Sequence, residues 1–172
     1  MAYANPDRNE AQAKLWGMIK DIKVAMLTSW DGSQMHSRPM HGHQEEFEGR
    51  LYFFTRHDSG KTAEIGRYDQ INLAYADIDD NNYVSIAGKG RVITDRARIE
   101  KYWSPMASAW FPKGLEDPNL ALIEVDADSA QYWDSTDSTM RYLWEVATAN
   151  LTGREPDMGE SARIDLKPNA AA

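Results

Sequence analysis

Hydrophobic positions switch between a helical and a strand period along this chain. In residues 7–21, DRNEAQAKLWGMIKD, the apolar Leu15, Met18 and Ile19, with Ile22 just beyond, recur at helical spacing. Asp7 with Glu10 offers an N-terminal cap, so a helix is expected there. KVAMLTSW (23–30) and SQMHSRPMHGH (33–43) read as paired strands around a tight Asp31-Gly32 hairpin turn. A second turn at EFEG leads into RLYFFTR (50–56), apolar on both faces, as a strand buried on both sides would be.

SGKTAEIGRYD (59–69) predicts a short helix and INLAYADI (71–78) a strand. The polar DDNN (79–82) predicts a turn into the strand YVSIAGKGRVI (83–93), where Gly88 and Gly90 signal a bulge or a close backbone approach. A helix over DRARIEKYW (95–103) precedes SPMASAWFPKGLEDPN (104–119), expected to be irregular because it holds three prolines. LALIEVDAD (120–128) and AQYWDS (130–135) read as the last two strands. STMRYLWEVATANL (138–151) reads as an amphipathic helix with Met140, Leu143, Ala147 and Leu151 in register, closed by Gly153. Residues 156–172 read as a polar, disordered tail after a single domain over 1–155. The strands come as antiparallel hairpins with helices between them, not as alternating β-α units. An α+β, mainly β fold with a closed antiparallel sheet is therefore expected over a doubly wound one.

Composition narrows the function classes. At 172 residues one domain suffices. With no cysteine there are no disulfides, thiolate metal sites or thiol catalysis. No apolar run has the length of a signal-peptide core or a membrane span, so a cytoplasmic protein is expected. A net charge of −8 argues against nucleic-acid binding, which needs a broad basic face. Yet Arg38, Arg50, Arg56, Lys61 and all four histidines fall within residues 35–65. That concentration suits one small anion.

Several motifs in or near that stretch can be weighed. His41-Gly42-His43 with His36 could suggest a metal site, but no carboxylate completes a ligand set, and the histidines read as polar strand ends. SGKT (59–62) lacks the earlier glycine of a P-loop, its place being Thr55. Ser59, Gly60 and Lys61 still open a helix whose free N–H groups suit an anion. DIDDNNYVSIAG imitates a calcium loop, but Asn82 replaces the required glycine and Gly88 the terminal glutamate, so it is a turn. Arg38 precedes Pro39, and proline confines that strand to an edge, an end or a bulge. Two readings of Arg38 stay open: a phosphate gripped with Ser59 and Lys61 beside Thr55, or surface ion pairs with Glu45, Glu46 and Glu48. Trp16 and Trp144 fit a core. Trp103, Trp110 and Phe111, in the proline-broken segment, suit a partner surface or a stacked ligand. No Ser-His-Asp or Cys-His set is present, so redox chemistry would require a cofactor.

Taken in order, SRPM, LYFFT, SGKTAEI, NYVSIAGKGRV, YWSPMASAWFPKG and ALIEVDADSAQYWDS resemble the general stress protein branch of the pyridoxamine 5′-phosphate oxidase-like, FMN-binding split-barrel family. The resemblance spans roughly residues 10–152 and is most particular at WSPM and AWFPKG. It implies a homodimer of six-stranded Greek-key split barrels with FMN held between subunits. By the same resemblance Arg38 and Lys61 would hold the phosphate, beside Ser59. Pro39 and Met40 would lie along the isoalloxazine edge, and Phe54 and Thr55 would supply backbone and hydroxyl contacts. Tyr83 stands where the oxidases carry a flavin-contacting glutamine. Trp133 matches a tryptophan near the flavin, while Trp110 and Phe111 would come from the partner subunit. Arg38 and Lys61 do not separate FMN from FAD. The Arg-x-His element of the true oxidases is absent after QYWDS, and Gly60 replaces the second basic residue of their Ser-Arg-Lys, so pyridoxal phosphate synthesis is not expected. The resemblance implies a flavin-dependent oxidoreductase with a small-molecule electron donor; the alternative is a flavin carrier or sensor in stress response. No metal, nucleic-acid or membrane partner is expected.

Overall fold

The computed structural model describes residues 8–42, 44–134 and 160–166. Helix α1 (Arg8–Ile19) leads into a hairpin of β1 (Val24–Trp30) and β2 (Met35–His41). Then come β3 (Arg50–Arg56), α2 (Gly60–Arg67), β4 (Gln70–Asp77) and β5 (Asn82–Ile93). Two short helices, α3 (Arg96–Lys101) and α4 (Pro105–Ser108), and a 3-10 turn (Gly114–Glu116) precede β6 (Leu120–Asp134) and β7 (Glu160–Asp165). The fold is mainly β: one antiparallel sheet of seven strands, ordered β2-β1-β4-β5-β6-β3, with β7 also paired to β6.

Period-two patterning decides which face is inside. Ala25, Leu27, Leu73, Tyr75, Val84 and Ile86 point inward and are buried, while Val24, Met26, Ala74, Ala76 and Tyr83 point outward and are exposed. Ala11, Leu15 and Ile19 of α1 and Ile65 of α2 pack into this inner core. Each such side chain removed from water contributes about 1.5–3 kcal/mol for the larger aliphatics. A second cluster covers the outer face of β3 and β6: Phe54, Leu120 and Leu122 meet Ile99 of α3, Ala107 of α4 and Phe111. Glu124, 1% exposed, fastens α3 to that face through Arg98, with Arg91 Nε donating from β5 at 2.5 Å. Beside it Tyr52 stacks on Tyr102 with ring centroids 4.0 Å apart, and burial first, then Tyr102 and Glu124, pushes its phenol to about 12.

The two end strands of the order, β2 and β3, touch through a single isolated bridge between Gly42 and Phe53. No ladder joins the rest of their lengths among the described residues. Pro39 thus lies on an edge strand, as its missing N–H requires.

Three expectations are corrected. The two strands expected at 120–128 and 130–135 are one strand, β6; its extra residue Asp128 bulges out where the register shifts between Ala87 and Gly88 of β5. A Cβ at Gly88 would meet Asp126 O at 2.4 Å, so a glycine is needed for this approach. The tail expected to be disordered contains β7, whose Ile164, followed by Leu166, reaches the inner core. Within the segment expected to be irregular, Ser104 caps α4, its hydroxyl accepting from Ala107 N at 3.4 Å. The Asp7 cap, His43, Trp144 and the helix expected at 138–151 lie outside the described residues. None of the described helices is long and apolar enough to cross a membrane.

Candidate functional site

Strand β3 runs directly into α2 through the turn His57–Ser59. His57 N donates to Asn119 O (2.7 Å), and Thr62 Oγ1 lies 2.7 Å from His57 O and 2.6 Å from Ser59 O, which fixes the turn. Ser59 is the extended N-cap residue of α2, and its own side chain makes no capping bond. The amides of Gly60 and Lys61 come before Thr62 N, the first to bond back to Ser59 O, so the helix presents donors and the positive end of its dipole here.

Arg38 sits on the inner side of β2, opposite Leu27, and reaches across β1 to α2. Its Nη1 donates to Ser29 Oγ at 2.5 Å and its Nη2 to Glu64 Oε2 at 2.8 Å. Ser29 Oγ in turn donates to Glu64 Oε2 at 2.5 Å. His36 Nδ1 stands 3.8 Å from Glu64 Oε1, and its Nε2 3.0 Å from Asp31 Oδ2. Burial raises the Glu64 carboxyl, but hydrogen bonds from Ser29 and Arg38 and the charges of Arg38 and His36 outweigh it, leaving it below its ordinary value.

Lys61 lies one turn before Glu64 on the same helix. Burial first, and the Arg38 charge second, hold its ammonium below the ordinary value, with Glu64 only partly offsetting them. Two cations therefore share one carboxylate in a half-buried corner. The corner is short of negative charge, and an anion would supply it.

The split between the end strands opens beside this corner. Carrying the antiparallel register on from the Gly42–Phe53 bridge sets Met40 opposite Thr55 and Pro39 opposite Arg56. Pro39 and Met40 thus lie on one of the two strands that flank this gap and Phe54 and Thr55 on the other, with Arg38 beside Pro39 on β2 and Ser59 and Lys61 in the turn and helix that follow β3. Thr55 is 3% exposed, and its Oγ1 has no hydrogen-bond partner among the described residues. A buried hydroxyl left without a partner marks a place where a ligand group can bond.

The other expected residues lie elsewhere. Tyr83 and Trp133 are cross-strand neighbours on the exposed outer face of β5 and β6. Trp110 is 77% exposed after α4. Phe111, expected as a contact from a partner subunit, is instead 6% exposed and packed on Phe54 and Trp103 of its own chain. Apolar residues of the proline-broken segment fold back onto β3 because that outer face would otherwise be bare.

Ser29 and Glu64 are the residues that sequence reasoning missed. Alternation puts Ser29 on the inner face with Leu27, a buried polar position that was legible; nothing in the sequence pairs Arg38 with Glu64 rather than with Glu45, Glu46 or Glu48. No group of three or more metal-ligating side chains occurs among the described residues.

Comparison with known proteins places these features in company. A family model described as "Pyridoxamine 5′-phosphate oxidase like" matches residues 10–157. Protein bli-3 of Neurospora crassa is 30% identical over 122 residues, 66% of this chain and 58% of that protein, so the chain spans less than two thirds of that relative. A Jannaschia sp. CCS1 structure assigned as general stress protein 26 matches with a TM-score of 0.72 at 26% identity, covering 91% of this chain and 99% of the other. The general stress FMN/FAD binding protein of Xanthomonas citri matches with a TM-score of 0.67 at 34% identity, covering 76% of this chain and 92% of the other.

Proposed function

The chain belongs to the pyridoxamine 5′-phosphate oxidase-like family, and on that premise we propose that it is a general stress flavoprotein holding FMN in the slot between β2 and β3. The observation that carries this reading is the Arg38–Lys61 corner, where two cations meet one carboxylate. The residues fit the group: Arg38, Ser59 and Lys61 would take the phosphate, and the unpartnered Thr55 hydroxyl with Pro39, Met40 and Phe54 of the end strands would line the ribityl chain and ring. Bound flavin supplies two-electron redox chemistry that no side chain here provides. The chain's own groups bind and orient it and keep water from one side of the slot.

In this reading the six-strand path, β7 aside, is a Greek-key split barrel that works as a homodimer, with the flavin at the subunit interface. Support comes from the outer face, where Val24 and Met26 of β1, Tyr83 of β5 and Trp133 of β6 are exposed apolar or aromatic side chains. A second copy would cover them and could bring its Trp110 toward the flavin. The activity is then flavin-dependent oxidoreduction with a small-molecule donor; a flavin carrier is the result if turnover is absent.

Titrating flavin-free protein with FMN, FAD and riboflavin tests the assignment. FMN should bind at least about tenfold tighter than riboflavin, the effect of one or more charge-assisted hydrogen bonds. Equal affinity for the two, or no binding, overturns it. NADH oxidation by the loaded protein, compared with free FMN, then separates enzyme from carrier.

A further inference from the structure

Past Arg38, where Gly42 N donates to Lys23 O at 2.8 Å, the barrel wall meets α1 and the start of α4 around a cavity of about 270 Å³. Trp16 and Ile19 of α1 and Leu51 of β3 give it apolar walls. Lys20, Lys23 and His41 also line it, against the single carboxylate of Glu45, in a protein whose net charge is −8. Tyr75 lines it too and is only 5% exposed. Burial alone raises the pKa of its phenol, and the cavity beside it gives a ligand oxygen room to bond the hydroxyl.

We infer that this cavity is a second ligand site, independent of the flavin slot, for a small monocarboxylic acid with an apolar body and a second oxygen. The carboxylate pairs with Lys20 and Lys23, the body lies against Trp16, Ile19 and Leu51, and the second oxygen bonds the Tyr75 hydroxyl. The volume suits one substituted aromatic ring and excludes a nucleotide.

4-Hydroxybenzoate and benzoate are the probes, titrated calorimetrically into the purified 172-residue chain. 4-Hydroxybenzoate should bind saturably and about tenfold tighter than benzoate, the size of one added hydrogen bond. Tyr75→Phe keeps the ring in place and should erase that difference while leaving benzoate affinity unchanged. Lys23→Met should weaken both acids about tenfold, and Lys61→Ala should weaken neither. Absence of saturable binding, a 4-hydroxybenzoate preference that survives Tyr75→Phe, or binding that disappears with Lys61→Ala each overturns the inference; the last would put the acid in the Arg38 corner instead.

Discussion

Arg38 owes its position to strand alternation, its company to α2 and its open side to the split. Each of Arg38→Ala and Lys61→Ala should weaken FMN binding by about 10- to 150-fold, since a charge-assisted hydrogen bond contributes about 1.5–3 kcal/mol. Quenching of flavin fluorescence reads this directly; unchanged affinity in both variants would remove the phosphate from this corner. Lys61 also has a signature without ligand. Its folded pKa lies below the ordinary 10.5, so between those two values the unfolded chain holds the proton more tightly. Stability should therefore rise with pH through that window, and Lys61→Met should flatten the rise. Melting temperatures of the flavin-free protein from neutral pH to about 10 check it; identical slopes would mean that the amine is not strained. The cations were legible because a proline and a helix-opening Ser-Gly-Lys announce them. Glu64 was not, because pairing a strand residue with one 26 positions later depends on where α2 docks.

Elements were easier to read than their joints. The β1–β2 hairpin, β3, β4 and β5 follow from alternation and turn residues, and Gly88 was singled out as a close approach. What the sequence hid was continuity: Asp126 and Asp128 make β6 look interrupted, whereas a bulge absorbs the extra residue and the strand runs on. ESARID looked too polar for a strand, yet its alternation is that of an edge with one face inward. Gly88→Ala should cost about 1–3 kcal/mol, because its Cβ would fall on the Asp126 carbonyl and both strands would have to part. Gly66→Ala, in helix α2 with nothing within 4 Å, should be neutral or stabilise by about 0.5–1 kcal/mol. Chemical denaturation of the pair separates a packing requirement from mere flexibility; similar effects at both sites would refute the close-approach account.

At the scale of the molecule, hairpin order predicted an antiparallel, mainly β fold but could not say which edge stays open. Closure depends on curvature, and curvature comes from features such as the Asp128 bulge, which add up over the sheet. The outer face gives the assembly prediction: Met26→Asp sets a charge among exposed apolar neighbours and should shift a dimer toward monomer, with flavin lost in parallel. Light scattering beside the absorbance spectrum reads both; a fully flavinated dimer would place the interface elsewhere. Strand β7 has a practical consequence. It takes up the edge of β6 that β3 leaves beyond Asp126, and Ile164 with Leu166 completes the hydrophobic interior. An expression clone trimmed at residue 155, as a reader of hydropathy alone would trim it, discards a structural staple: it bares backbone donors and acceptors able to recruit another chain, and inclusion bodies would be the outcome at the bench.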